Sequence, residues 1–239
     1  MKLTKPENKL FSMEDFEKGL MLAGLIAPSS VQELNERETL ENFEKQQKKH
    51  QSAIYFKRAV LAAEIVFELH HEPTFGRIKF QKMVYLCEHV AKMNLKQRYS
   101  KQAAGPFDNK FMHSIEKEFL KQKWFTVEKR NEAGFTKSIY VPLPDVNKYK
   151  SYFETYFEES IDEIKYIIDL FRKQKTDFTE IVATLLACFW ELTEKNEQFT
   201  QEKLLDLFYA WSDKKKRFDQ NTVLTAWHWI NDRQLILNR

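Results

Sequence analysis

Six histidines, two cysteines and 35 acidic residues are the stock from which this chain of 239 residues could build a catalytic or metal centre. Their spacing favours few such centres. His70 and His71 are adjacent, and neighbours on a helix do not share a face, so the pair makes a poor metal clamp. His89 and His113 are the other histidines of that region. The chain carries no GxGxxG, no phosphate-binding loop, no GxSxG, no CxxC and no HExxH. A metal-dependent nuclease needs clustered carboxylates and often a lysine. Glu163 and Lys165 in "DEIKY" have that local order, but such short matches are common by chance, and Glu116 and Glu118 read as solvated helix residues. The nuclease alternative requires Asp108, Glu116 and Glu163 to converge on one cleft. Cys87 and Cys188 lie far apart in apolar helical patterns, which reads as two buried thiols rather than a disulfide framework. No catalytic residue, metal site or cofactor is expected.

Charge segregation says more. Between Gly76 and Lys101 seven basic residues (Arg77, Lys79, Lys82, Lys92, Lys96, Arg98, Lys101) face one acid, Glu88, a local charge of +6. Such a surface attracts phosphate backbones and releases their counterions; it serves an acidic protein equally well. A second basic cluster, Lys214, Lys215, Lys216 and Arg217, precedes the last helix, whereas Asp145 to Glu163 carries six acids against Lys148 and Lys150. The overall charge of +3 neither demands nor excludes nucleic acid. The N-terminus lacks the apolar core of a signal peptide, and no apolar run approaches the ~18 residues needed to span a bilayer. The reading is an intracellular, soluble, cytoplasmic protein without membrane contact.

The elements that must position these residues are mostly helices. Gly and Pro number only 5 and 6 while Phe numbers 20, so breakers are few and large apolar residues many. A short helix is expected from Met13 behind Ser12, ending near Gly24 and Pro28. A polar, helix-prone stretch with Val31, Leu34, Leu40 and Phe43 leads into a core helix with Ile54, Leu61, Ala62, Ile65 and Leu69 on one face. After "EPTFGR", Phe80, Met83, Val84, Cys87, Val90 and Ala91 recur at helical spacing, with Arg77, Lys79, Lys82 and Lys92 largely off that stripe. "AAGPFD" reads as a turn around Gly105 and Pro106, with Asp108 capping a helix over residues 109–123 that buries Phe111, Met112, Ile115 and Phe119. "WFTVEK" and "FTKSIYVPL", separated by "RNEAG", form the single clear β-hairpin. Beyond Pro144 one helix is expected to bury Tyr152, Tyr156, Ile161, Ile164, Ile168 and Phe171. A nearly all-apolar helix follows ("DFTEIVATLLACFWELTE"), then one capped by Thr200, a basic loop and a last helix. Trp211, Trp227 and Trp190 are expected in the core.

Helix, turn, helix and hairpin is the order of a winged helix, with residues 109–123 in the recognition position; any small α+β domain with a covering hairpin has the same order. "FGRIKFQKMVYLCEHV", then "QAAGPFDNKFMHSIEKEFLKQKWF" and the ending "WSDKKKRFDQNTVLTAWHWINDRQLI", resemble a helical module found behind some type I restriction-modification specificity subunits and also as a stand-alone frame. The resemblance covers roughly residues 55–237. A weaker similarity, to the SocA/Panacea type of antitoxin domain, rests on Lys79, Phe80, Gln81, Lys82, Met83, Val84 and Tyr85 with Gly105 and Pro106; Phe80 and Met83 depart in kind but stay apolar. Target-recognition domains are not visible, so a specificity subunit is not implied.

The expectation is therefore a mainly α protein with one small β-hairpin: an N-terminal helical extension (1–54), a winged-helix-like domain (55–143) and a C-terminal helical bundle with a helix-turn-helix-like end (144–239). The resemblance implies a non-enzymatic binding or regulatory module of bacterial defence, with a restriction-modification component or toxin as protein partner and DNA as a second candidate. Arg77, Lys79, Lys82, Lys92, Lys110, His113, Lys117 and Lys214 to Arg217 are the expected contacts. Glu116 and Glu118 would repel a DNA backbone, and the helix at 109–123 has no arginine for bidentate reading of guanine.

Overall fold

The computed structural model describes residues 13–25, 31–93, 99–132 and 135–236. It is mainly helical, and the chain divides into two compact units, residues 1–54 and 55–239. In the first unit, α1 (Met13–Leu22) ends at Gly24, whose φ of +70° suits glycine. Its expected cap, Ser12, lies outside the described residues. The polar stretch and the core helix that follows it are one element, α2 (Val31–Leu69), of which residues 31–54 belong to the first unit. Phe43, expected among the few apolar positions of that stretch, is exposed.

In the second unit the remainder of α2 buries Leu61, Ala62, Ile65 and Leu69 as their spacing predicts. α3 (Arg77–Val90) packs against α6 (Ile161–Arg172) and α7 (Thr176–Glu194). Residues 55–143 and 144–239 thus build one core together. α7 is buried on nearly every side, as an all-apolar helix must be, and also meets α8 (Gln201–Ala210) and α9 (Gln220–Asp232). α4 (Asn109–Lys121) buries Phe111, Met112, Ile115 and Phe119, each contributing about 1.5–3 kcal/mol. It leans on the hairpin of β3 (Phe125–Glu132) and β4 (Phe135–Pro142). That hairpin pairs from Phe125↔Pro142 to Glu132↔Phe135, so Arg130 to Glu132, expected in the connection, lie in the strand.

Two readings need correction. "QAAGPF" is a second, smaller antiparallel pair, β1 (Ser100–Gln102) and β2 (Gly105–Phe107), rather than a simple turn. The helix expected after Pro144 is two: α5 (Tyr149–Tyr156) ends at Phe157, and a 3-10 turn leads into α6. The break resets the buried face. Tyr149, Phe153 and Phe157 are inside, while Tyr152 and Tyr156, expected inside, are 44% and 37% exposed. No described helix is long and apolar enough to cross a membrane.

Candidate partner-binding face

α4 starts where it does because Asp108 Oδ1 accepts a hydrogen bond from the Phe111 N–H at 3.0 Å, satisfying an otherwise orphan donor. Its four buried residues turn the opposite side outward. Lys110, His113 and Lys117 are exposed there, joined by Lys121 and by Leu120, which is 59% exposed. These positions recur at three- and four-residue intervals and form one stripe. The two acids of α4 are drawn aside. Glu116 accepts from the Arg77 guanidinium at 2.7 Å, and Glu118 takes Lys121 at 3.6 Å and the Gln122 amide at 2.7 Å. The expected repulsion from Glu116 and Glu118 is thus offset within the fold.

At the start of this stripe an open cleft of about 450 Å³ is lined by Tyr55, Arg58, Ser100, Lys110, Phe111 and Ser114, among others. Arg58 holds its wall. Its guanidinium is bonded to Glu88 and, at 2.7 Å, to Asp108, and it lies 4.0 Å from the Phe111 ring centroid. Glu88 also accepts from the Tyr99 hydroxyl at 2.8 Å. Burial works against the Arg58 charge, but Glu88, Tyr99 and Asp108 outweigh it and hold the pKa above the ordinary arginine value. With two carboxylates on one guanidinium, Arg58 adds no spare positive charge to the cleft.

The basic residues of α3 behave differently from expectation. Arg77 is tied to Glu116. Lys79 and Lys82 are fully buried, which removes them from any surface. Lys79 Nζ donates to Thr74 Oγ1 (2.8 Å) and to the carbonyls of Arg172 (3.0 Å) and Gln174 (2.6 Å). It therefore supplies donors to carbonyls at the end of α6, where a cation also complements the helix dipole. Burial pushes its pKa down to about 8, against the pull of Glu72. Lys82 Nζ donates to the Pro106 carbonyl at 2.7 Å; burial and the nearby Lys215 push it down to about 7, against Glu180. Lys92 remains exposed.

The cluster at Lys214–Arg217 is likewise mostly committed to the fold. Lys215, expected on a surface, is fully buried and donates to Glu180 (2.7 Å) and Thr184 (2.9 Å). Arg217 reaches Asp177 and Glu180 at 2.8 and 3.2 Å, and Lys216 reaches Asp213 at 2.8 Å. Lys214 is exposed. The residues just before this cluster hold the small β1–β2 pair. Trp211 Nε1 donates to the Gln102 carbonyl at 2.8 Å and Ser212 Oγ to that of Ala103 at 3.1 Å, while Lys101 pairs with Glu191 at 2.7 Å. Gly105 has φ of +101°, and a Cβ there would lie 2.6 Å from Thr184 Oγ1. The "AAGPFD" and "WSDKKKRF" stretches are therefore two sides of one packed knot. Trp227 is buried against Phe189 and Phe199, Trp190 is buried, and Trp211 is half-buried in the knot.

Among the described residues no group of three or more His, Cys, Asp or Glu could hold a metal ion. Asp108 goes to Arg58, Glu116 to Arg77, and Glu163 stands exposed on the first turn of α6, so the three carboxylates serve separate surroundings. Cys87 and Cys188 are buried free thiols, as expected, and burial pushes Cys188 up to about 12, away from thiolate reactivity. No family model matches the chain, and no curated protein matches it significantly. Arg58, Leu120 and Lys121 were missed in the sequence. Lys121 was findable, four residues after Lys117; Arg58 gave no signal, because its two partners lie 30 and 50 residues away.

Proposed function

We propose that this chain is a non-enzymatic binding module of a bacterial restriction-modification or toxin–antitoxin system, acting in the cytoplasm and gripping an acidic protein surface with the outer face of α4. The defence context comes from the resemblance of residues 55–237. The mode of binding rests on one observation: Leu120 stands 59% exposed among Lys110, His113, Lys117 and Lys121. An exposed apolar residue at the C-terminal end of a basic stripe offers a protein partner both an apolar and a charged contact. The lysines steer an acidic partner and set its orientation.

DNA is the second reading, favoured by the order of α3, α4 and the β3–β4 hairpin, whose Lys129 and Arg130 are exposed. It ranks lower for physical reasons. Lys79 and Lys82 offer no phosphate contact, and the stripe has no arginine to grip guanine with two hydrogen bonds. The two readings separate in a titration with duplex DNA at about 50 and 200 mM salt. Weak binding that ignores sequence and fades with salt is expected. Tight, sequence-selective binding that survives the higher salt would reverse the ranking.

A further inference from the structure

The break at Phe157 leaves an aromatic surface uncovered. Tyr152 and Tyr156 stack with ring centroids 6.2 Å apart and planes 28° apart, and Phe56 meets them edge-on at 5.2 and 6.3 Å. The tyrosines are 44% and 37% exposed although they sit between buried Tyr149, Phe153 and Phe157. The exposed charge of the same segment is mostly acidic. Glu154 lies between the two tyrosines in the chain, Glu158 and Glu159 follow in the next turn, and Asp162 and Glu163 open α6; all five are exposed. The neighbouring lysines lean on other rings, Lys57 over Phe157 at 4.8 Å and Lys150 over Phe67 at 4.1 Å. The exposed tyrosines and the exposed acids thus share one short segment of chain, residues 152–163.

We propose that the Phe56–Tyr152–Tyr156 surface is a second docking site, which takes an arginine-rich segment of a protein partner. A guanidinium is planar, weakly hydrated and stacks on aromatic faces while its N–H groups reach carboxylates. Here the exposed rings and acids lie within residues 152–163, from α5 to the first turn of α6. The chain uses the same contact internally, with Arg58 over Phe111 at 4.0 Å and Arg217 over Phe218 at 4.5 Å. A nucleic acid is disfavoured, since five exposed carboxylates repel its phosphates. This site is independent of the α4 face, and each can fail without the other.

The test is fluorescence anisotropy of a labelled peptide of alternating arginine and glycine, titrated with the full chain, beside its lysine counterpart. Saturable binding is expected, tighter for arginine than for lysine. Tyr152→Ala/Tyr156→Ala should weaken it about fivefold or more, whereas Tyr152→Phe/Tyr156→Phe should retain it. Both tyrosines are half-exposed, so an unchanged circular dichroism melt should accompany the loss. Lys117→Glu, on the α4 face, should not weaken the peptide. Equal binding by wild type and the double alanine variant would overturn the proposal in favour of plain charge attraction. Lysine binding as tightly as arginine would overturn the choice of ligand, and absence of saturable binding would overturn the site.

Discussion

Lys82 carries two consequences of its burial. In the folded chain its pKa falls to about 7 from an ordinary 10.5, through burial and then Lys215, with Glu180 pulling the other way. Between those values the unfolded chain holds a proton that the folded chain has released, so stability rises with pH across the window. Lys79, with its pKa lowered to about 8, adds the same sign. The melting temperature is therefore expected to climb from pH 7 to about pH 8.5, and less steeply in Lys82→Met. A flat wild-type profile would contradict the burial of both lysines. Gly105 stands beside Lys82 in the same knot. Its φ of +101° and the Thr184 oxygen in the place of a Cβ leave no room for a side chain. Gly105→Val should lower stability by about 3 kcal/mol or more, read by urea denaturation.

At the scale of elements, helix starts are set by side chains the sequence displays. Asp108, Thr200 and Asp219 each accept from a backbone N–H of the first turn. Two of these caps differ in what else they do. Asp219→Ala removes a cap and should cost about 1 kcal/mol. Asp108→Ala also strips a buried carboxylate from Arg58, and should cost about 3 kcal/mol or more. Comparable losses in urea melts would show that the Arg58 pair carries no weight. The periodicity of α3, α4, α6 and α7 was legible because each buries one continuous face or nearly all of its surface. The split of α5 from α6 was not. Tyr152 and Tyr156 are as apolar in type as Tyr149 and Phe153, so composition alone could not show which turn faces inward. Lys79, Lys82 and Lys215 misled for a related reason. A lysine off a helix stripe or in a loop is normally solvated, but its long stem can carry the ammonium inward to acceptors brought near only by the fold.

For the molecule as a whole, the charge pattern seen in the sequence is largely consumed by internal pairing. Arg77, Lys79, Lys82, Lys215 and Arg217 are all bonded to other parts of the chain; Lys92 and Lys214 stay exposed elsewhere, while Lys110 and Lys117 share one exposed face of α4. The motif stretches behind the resemblance meet in the knot that seats β1 and β2, whose chain leads directly into Asp108 and α4. They thus act by holding α4 in place, and the face it presents is where binding is expected. A photo-crosslinking residue placed at Leu120 in the intact cell tests that face most directly. A single protein adduct is expected from position 120, abolished by Lys110→Glu/Lys117→Glu, with none from a matching probe at Lys129 on the hairpin. Adducts to nucleic acid from position 120, or protein adducts from Lys129 but not from 120, would contradict it.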